Sequence, residues 1–268
     1  MWVACDATLE QFKPHELAIV MWSFARMNCS PGEKALQRAA SLLASHTGDL
    51  DMQVRLLRQR QSHLAAALRR PARQAASNGL WALAVLWTEP DRAVLARLVE
   101  RTQRLLASSS SPQAISNVLW AVAKLRYDPG PAFVADTVAQ ALTLADALGC
   151  VAGAPCFAAS HADAPARALR RPADLLQLCY SLVELRYAAG PRSLDSLAAA
   201  VDKQLPAFSE MQLTTVLTAL ARMGFDPPAA FGARLCKHVD SLPPAGRPAL
   251  VAALALLGLR DAPTQGAA

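Results

Sequence analysis

Aromatic residues make up only 6% of the 268-residue chain and glycines number just 12, so the hydrophobic 53% must be packed mainly as alanine and leucine. Those are strong helix formers, and no stretch alternates Val, Ile or Thr with polar residues as a strand would; the composition predicts an all-α protein. The six cysteines (Cys5, Cys29, Cys150, Cys156, Cys179, Cys236) show no Cys-x-x-Cys spacing. Several fall on helical apolar positions, where Cys acts as a small hydrophobe, and this suits a reducing compartment. Cys150, Cys156 and His161 come close in sequence but lack a fourth ligand and zinc-like spacing, so no metal is expected.

Other absences narrow the function. No uncharged apolar run reaches the ~18 residues of a spanning helix, the longest good stretch being 248–259, so no membrane partner is expected. There is no Gly-rich phosphate loop and no His-Glu-x-x-His, and the five histidines (His15, His46, His63, His161, His238) stand apart from any nucleophile or carboxylate pattern. Catalytic residues, cofactor and small-molecule substrate are therefore all expected to be absent, and the protein is read as a non-enzyme. Acidic Asp6, Glu10 and Glu16 come too early for a typical targeting peptide. Either the protein stays in the cytosol, or the chain is a fragment or incomplete at its N-terminus.

What the sequence does contain is a repeat. The stretch PQAISNVLWAVAKLRYDPGP (112–131) places Ile115, Val118, Leu119, Val122 and Leu125 on one helical face, then breaks at Asp128-Pro129-Gly130-Pro131. A second periodic segment follows it, so the unit is a helical hairpin. Taking Trp120 as anchor, Trp22, Trp81, Tyr180, Thr218 and Ala252 occupy the equivalent place, with prolines nine residues after (Pro31, Pro90, Pro129, Pro227) or eight before (Pro14, Pro112, Pro172, Pro244). Anchor spacings are 59, 39, 60, 38 and 34 residues, so two adjacent pairs give a unit of 38 or 39 and the two long gaps add 21 or 22. Such units cannot bury their apolar stripes alone and stack into an α-solenoid, here of about five and a half repeats. The expected organisation is a single array over 1–268, with repeats near 14–46, 71–107, 112–148, 172–205 and 208–242 and a half repeat at 244–259. Insertions fall at 48–70 and 149–171, and a disordered tail at 260–268. The first insertion is Arg-rich and reads equally as a phosphate-binding arm or a solvated helix.

A net charge of +6 and a pI near 9.2 favour a polyanionic partner. Residues three before, one after and four after each anchor share one helical stripe, expected to line a groove. In order these are Ile19/Ser23/Arg26, Asn78/Ala82/Val85, Asn117/Ala121/Lys124, Gln177/Ser181/Glu184 and Thr215/Ala219/Arg222. Asn78, Asn117, Gln177 and Thr215 are candidates to hydrogen-bond bases; Lys124, Arg126, Arg186 and Arg222, near the ends of first helices, are candidates to hold phosphates. The bland alternative is a solvated wall with helix-dipole complementarity. The anchor aromatics are expected to pack between adjacent hairpins, with base stacking as the alternative.

The motifs LWAVAKLRYDPG (119–130), LWALAVLWTEP (80–90), MWSFARMNCSPG (21–32), FKPHELA (12–18) and LTALARMGFDP (217–227) resemble the octotricopeptide repeats and the related FAST kinase-like, RAP-associated helical repeats of organelle RNA-binding proteins. The resemblance implies an α-solenoid that tracks single-stranded RNA in a mitochondrion or chloroplast, alongside other RNA-processing proteins, and affects transcript processing, stability or translation. The chain departs from the pattern at Tyr180, Thr218 and Ala252, at the two insertions, and in showing no RAP module, where any nuclease-like activity would reside. An armadillo- or HEAT-like protein scaffold, with repeats of ~40–47 residues, is the alternative.

Overall fold

A computed structural model describes residues 8–58, 62–86, 91–106, 112–146, 172–243 and 247–260, with side chains described throughout these except at 46–73, 105, 112 and 143–146. The insertion at 149–171, with Cys150, Cys156 and His161, and the tail at 261–268 lie outside them. Among the described residues every regular element is helical. Eleven α-helices run α1 Pro14–Arg26, α2 Glu33–Arg58, α3 Ser62–Leu86, α4 Arg92–Leu106, α5 Pro112–Lys124, α6 Pro131–Asp146, α7 Pro172–Glu184, α8 Pro191–Asp202, α9 Glu210–Arg222, α10 Ala229–Ser241 and α11 Arg247–Leu256. This is the all-α helical-repeat class expected, and the odd-numbered helices carry the anchors.

The chain divides into two compact units, 1–138 and 139–268. In the first, α1 packs on α3 and α3 on α5, while α2 packs on α3 and α4. In the second, α7 packs on α9 and α9 on α11, with α8 against α7 and α10 against α11. Anchor-bearing helices thus lie side by side within each unit.

The reason is one buried stripe, repeated. Leu17/Met21/Phe24, Ala76/Leu80/Leu83, Ile115/Leu119/Val122, Leu175/Cys179/Leu182 and Leu213/Leu217/Leu220 fall at i, i+4 and i+7 on successive first helices, and all are buried. Each large member contributes roughly 1.5–3 kcal/mol relative to exposure. Buried hydroxyls are answered locally: Thr102 and Thr137 donate to the carbonyls of Leu98 and Phe133 one turn back.

Ends of the helices are set by local chemistry. Proline opens α1, α5, α6, α7 and α8 at the position whose N–H has no helical partner. Ser209 caps α9 reciprocally, its Oγ accepting from the Gln212 N–H at 3.3 Å while Gln212 Oε1 accepts from the Ser209 N–H at 3.0 Å. Asp91 Oδ1 accepts the N–H groups of Val94 and Ala93, which hold its carboxyl below the usual carboxylate range.

First helices close on a common left-handed turn six residues past the anchor. The residues there, Asn28, Arg126, Arg186, Gly224 and Gly258, have φ of 50°, 49°, 51°, 77° and 68°. In each case the next residue's N–H reaches back to a helix carbonyl: Cys29 to Phe24, Tyr127 to Val122, Tyr187 to Leu182, Phe225 to Leu220 and Leu259 to Leu254, at 2.9 to 3.1 Å. This is the Schellman closure, and its recurrence in five repeats marks the period independently of side-chain pattern.

One boundary differs from expectation. The insertion at 48–70 is largely helical backbone: it extends α2 to Arg58 and starts α3 at Ser62, so a repeat beginning at 71 begins inside a helix. The helical pattern continues through the Arg-rich stretch because little in it breaks a helix. Ahead of α1, Leu9–Gln11 forms a short 3-10 turn. The same turn recurs at Leu205–Ala207 before α9, and both are followed by a phenylalanine, Phe12 or Phe208, whose N–H bonds the leucine carbonyl. The turn belongs to the start of a repeat.

Candidate nucleic-acid interface

The expected stripe is split by the packing. Of its five middle positions, Ser23 is half-buried, and the other four, Ala82, Ala121, Ser181 and Ala219, are buried. They are small because neighbouring first helices approach closely there, and none is available to a ligand; Ala121 in particular is a packing residue. The open face instead runs through the anchor itself, at positions three before, zero and four after. In the first unit this gives Ile19/Trp22/Arg26 on α1, Asn78/Trp81/Val85 on α3 and Asn117/Trp120/Lys124 on α5, with Ile19, Trp22, Arg26 and Lys124 exposed and the others half-buried.

Trp81 and Trp120 meet across adjacent hairpins as anticipated, their ring centroids 6.0 Å apart and planes tilted 30°. They do so at the surface rather than in the core. Trp22 is 42% exposed, and the Arg26 guanidinium sits over its ring, 5.6 Å from the centroid. That contact orients a cation beside an exposed π-face.

In the second unit the same face carries Gln177/Tyr180/Glu184 on α7 and Thr215/Thr218/Arg222 on α9. Tyr180, Glu184 and Arg222 are exposed, and Gln177 and Thr215 half-buried. The Thr215 hydroxyl donates to the Met211 carbonyl at 2.8 Å, leaving its oxygen as an acceptor only.

All eight predicted contact residues are at least partly accessible. Asn78, Asn117, Lys124 and Arg126 belong to the first unit, and Gln177, Arg186, Thr215 and Arg222 to the second. Lys124, Arg126, Arg186 and Arg222 enter no ion pair among the described residues. Other cations are spoken for: Arg38 pairs with Glu10, Arg104 with Glu100, Arg234 with Asp202 and Arg260 with Asp240. Near Arg126, the Arg92 guanidinium donates to the Arg126 carbonyl at 3.1 Å, bringing Arg92 to the end of the next repeat's first helix.

Sequence reasoning missed that the aromatic anchors share the open face with the amides. Positions one residue apart on a helix differ by about 100°, and periodicity alone does not say which of two neighbouring stripes points outward. One signal was present: the residue after each anchor is Ser23, Ala82, Ala121, Ser181, Ala219 or Ala253, always small, as close helix packing requires. A second was the placing of large apolar residues. Of the six exposed ones among the described residues, Met211, Ile19, Trp22, Tyr180 and Leu256 lie on this stripe, leaving Met27.

Among the described residues no helix is long and apolar enough to cross a membrane, and no group of three metal-ligating side chains converges. Cys179 is fully enclosed in the core, and burial pushes its thiol up to about 12. It is inert packing. No family model and no curated protein matches the chain.

Proposed function

We propose that this is a non-enzymatic, single-stranded RNA-binding helical-repeat protein acting in mitochondrial or chloroplast RNA processing, stability or translation. One observation carries the reading: the paired Trp81 and Trp120 rings are half-open on a face that also presents Asn78, Asn117 and Lys124. Aromatic faces stack on bases of any sequence, at about 1–3 kcal/mol per base, and amides add hydrogen bonds to base edges. Lys124 on α5 and Arg126 just beyond it answer phosphates, and the net charge of +6 favours approach of a polyanion. The organelle rests on the resemblance of the repeat motifs alone.

Fluorescence anisotropy with a labelled single-stranded RNA tests it. Affinity should fall steeply as salt rises, and Trp81→Ala combined with Trp120→Ala should weaken binding by about tenfold or more. Absence of binding at low salt would sink the proposal. A protein scaffold is the second reading, favoured by exposed Ile19, Met211 and Leu256. Crosslinking in cells followed by sequencing of attached RNA separates the two and reports the compartment.

A further inference from the structure

The left-handed closing turn accepts glycine without strain, and the fifth and sixth repeats use it, at Gly224 and Gly258. The first uses Asn28, the side chain that best tolerates this backbone after glycine. The third and fourth repeats place arginine there, Arg126 at φ 49° and Arg186 at φ 51°. A long side chain with an ordinary Cβ is disfavoured in this region, so each repeat holds its arginine against a local conformational cost. Nothing among the described residues explains the choice. Both side chains are exposed, and neither makes an ion pair or side-chain hydrogen bond among the described residues. The backbone hydrogen bonds of the two turns match those of the glycine turns, within 2.9 to 3.1 Å.

We infer that Arg126 and Arg186 are dedicated phosphate-contacting residues, one in each unit, fixed by the closing turn at the end of a first helix. The inference rests on the RNA-binding reading and sharpens it by assigning these two a backbone-gripping role, distinct from base contact at Asn78, Asn117 and Gln177. The geometry suits the task. The turn projects the side chain beyond the last helical residue, and the rigid Schellman bonds hold its root, so only side-chain freedom is lost on binding. A guanidinium there offers a planar fork of donors matched to a phosphate. At Arg126 the charge is reinforced by Lys124, two residues back, and by Arg92, anchored on the Arg126 carbonyl.

The experiment uses the full chain, with Arg126→Gly, Arg186→Gly and the double variant, plus Arg126→Lys and Arg186→Lys as charge-keeping controls. Thermal stability and the dependence of RNA affinity on salt are both measured, the probe being a labelled single-stranded RNA oligonucleotide of mixed sequence. Expected are an unchanged or raised Tm for the glycine variants and a log K against log salt slope shallower by about 0.7 per arginine removed. The lysine controls should keep the wild-type slope. Wild-type slopes in the glycine variants would overturn this inference and leave the RNA-binding reading standing; so would a lowered Tm, since the arginines would then be structural. Absence of salt-dependent binding by the unaltered chain would overturn both.

Discussion

Each unit is built on the same core pattern, and the two differ in their open face. In the first, anchors are Trp22, Trp81 and Trp120; in the second they are Tyr180, Thr218 and Ala252. Yet the buried stripe beside them is nearly unchanged, with Leu80/Leu83 and Leu119/Val122 answered by Cys179/Leu182 and Leu217/Leu220. The closing turn is likewise kept, with the same carbonyls engaged. A hairpin of this type therefore folds without an aromatic anchor. The indole rings of the first unit are in excess of what packing requires, and a partly open pair of them is what a stacking surface needs.

The largest test of that division is in the core. Leu119→Ala in the first unit and Leu217→Ala in the second remove equivalent, fully buried side chains. Each should cost about 2–5 kcal/mol in denaturant unfolding, with similar values for both. All five tryptophans lie within residues 1–138, so intrinsic tryptophan fluorescence follows the first unit while far-UV circular dichroism follows both. A loss confined to one substitution would break the claim of a common core.

Alkaline pH separates the units next. Cys179 occupies the core position held by leucine at Leu80, Leu119 and Leu217, and its thiol is raised from 9.0 to about 12 by burial. The folded state thus keeps a proton that the unfolded state gives up first. Stability from this residue is complete below about pH 9 and drains away as pH rises from there towards about 12. Circular dichroism should show an alkaline loss that Cys179→Leu abolishes. In the folded protein at neutral pH, exposed Cys29 should react with a thiol reagent and Cys179 should not.

The face is tested by exchange. Trp120→Thr should weaken RNA binding by about 1–3 kcal/mol, whereas Thr218→Trp should strengthen it. Thr218 is half-buried on the open stripe, so an indole there adds surface without entering the core. A gain in stability with no gain in affinity would return the anchors to a packing role. The smallest effect expected is at a helix start: Ser209→Ala removes the cap of α9 and should lower stability by about 1 kcal/mol without altering affinity.

Much of this was legible from residues alone. Prolines at the starts of α5 and α7, the turn after each first helix and the 38-residue spacing located most helices closely, because those signals act over a few bonds. The insertion at 48–70 was harder, since Arg-rich sequence is compatible with either a helix or a loop until neighbours are known. The candidate contact residues are legible by type, as polar side chains at regular spacing, and all are at least partly accessible. That Trp81 and Trp120 share the open face with them was not legible, because an indole is as suited to a core as to a surface.

What the sequence determined by itself, then, is the all-α class, the hairpin period and the identity of the buried stripe, all consequences of local propensity and of apolar residues recurring every turn. Which adjacent stripe is covered and which left open was decided only by tertiary packing. The small residues after each anchor let first helices close over that line, and the closure turned Trp22, Trp81, Trp120 and Tyr180 outward. Neither the meeting of Trp81 with Trp120 nor the left-handed backbone under Arg126 and Arg186 follows from periodicity, because both depend on where a helix ends and what lies against it.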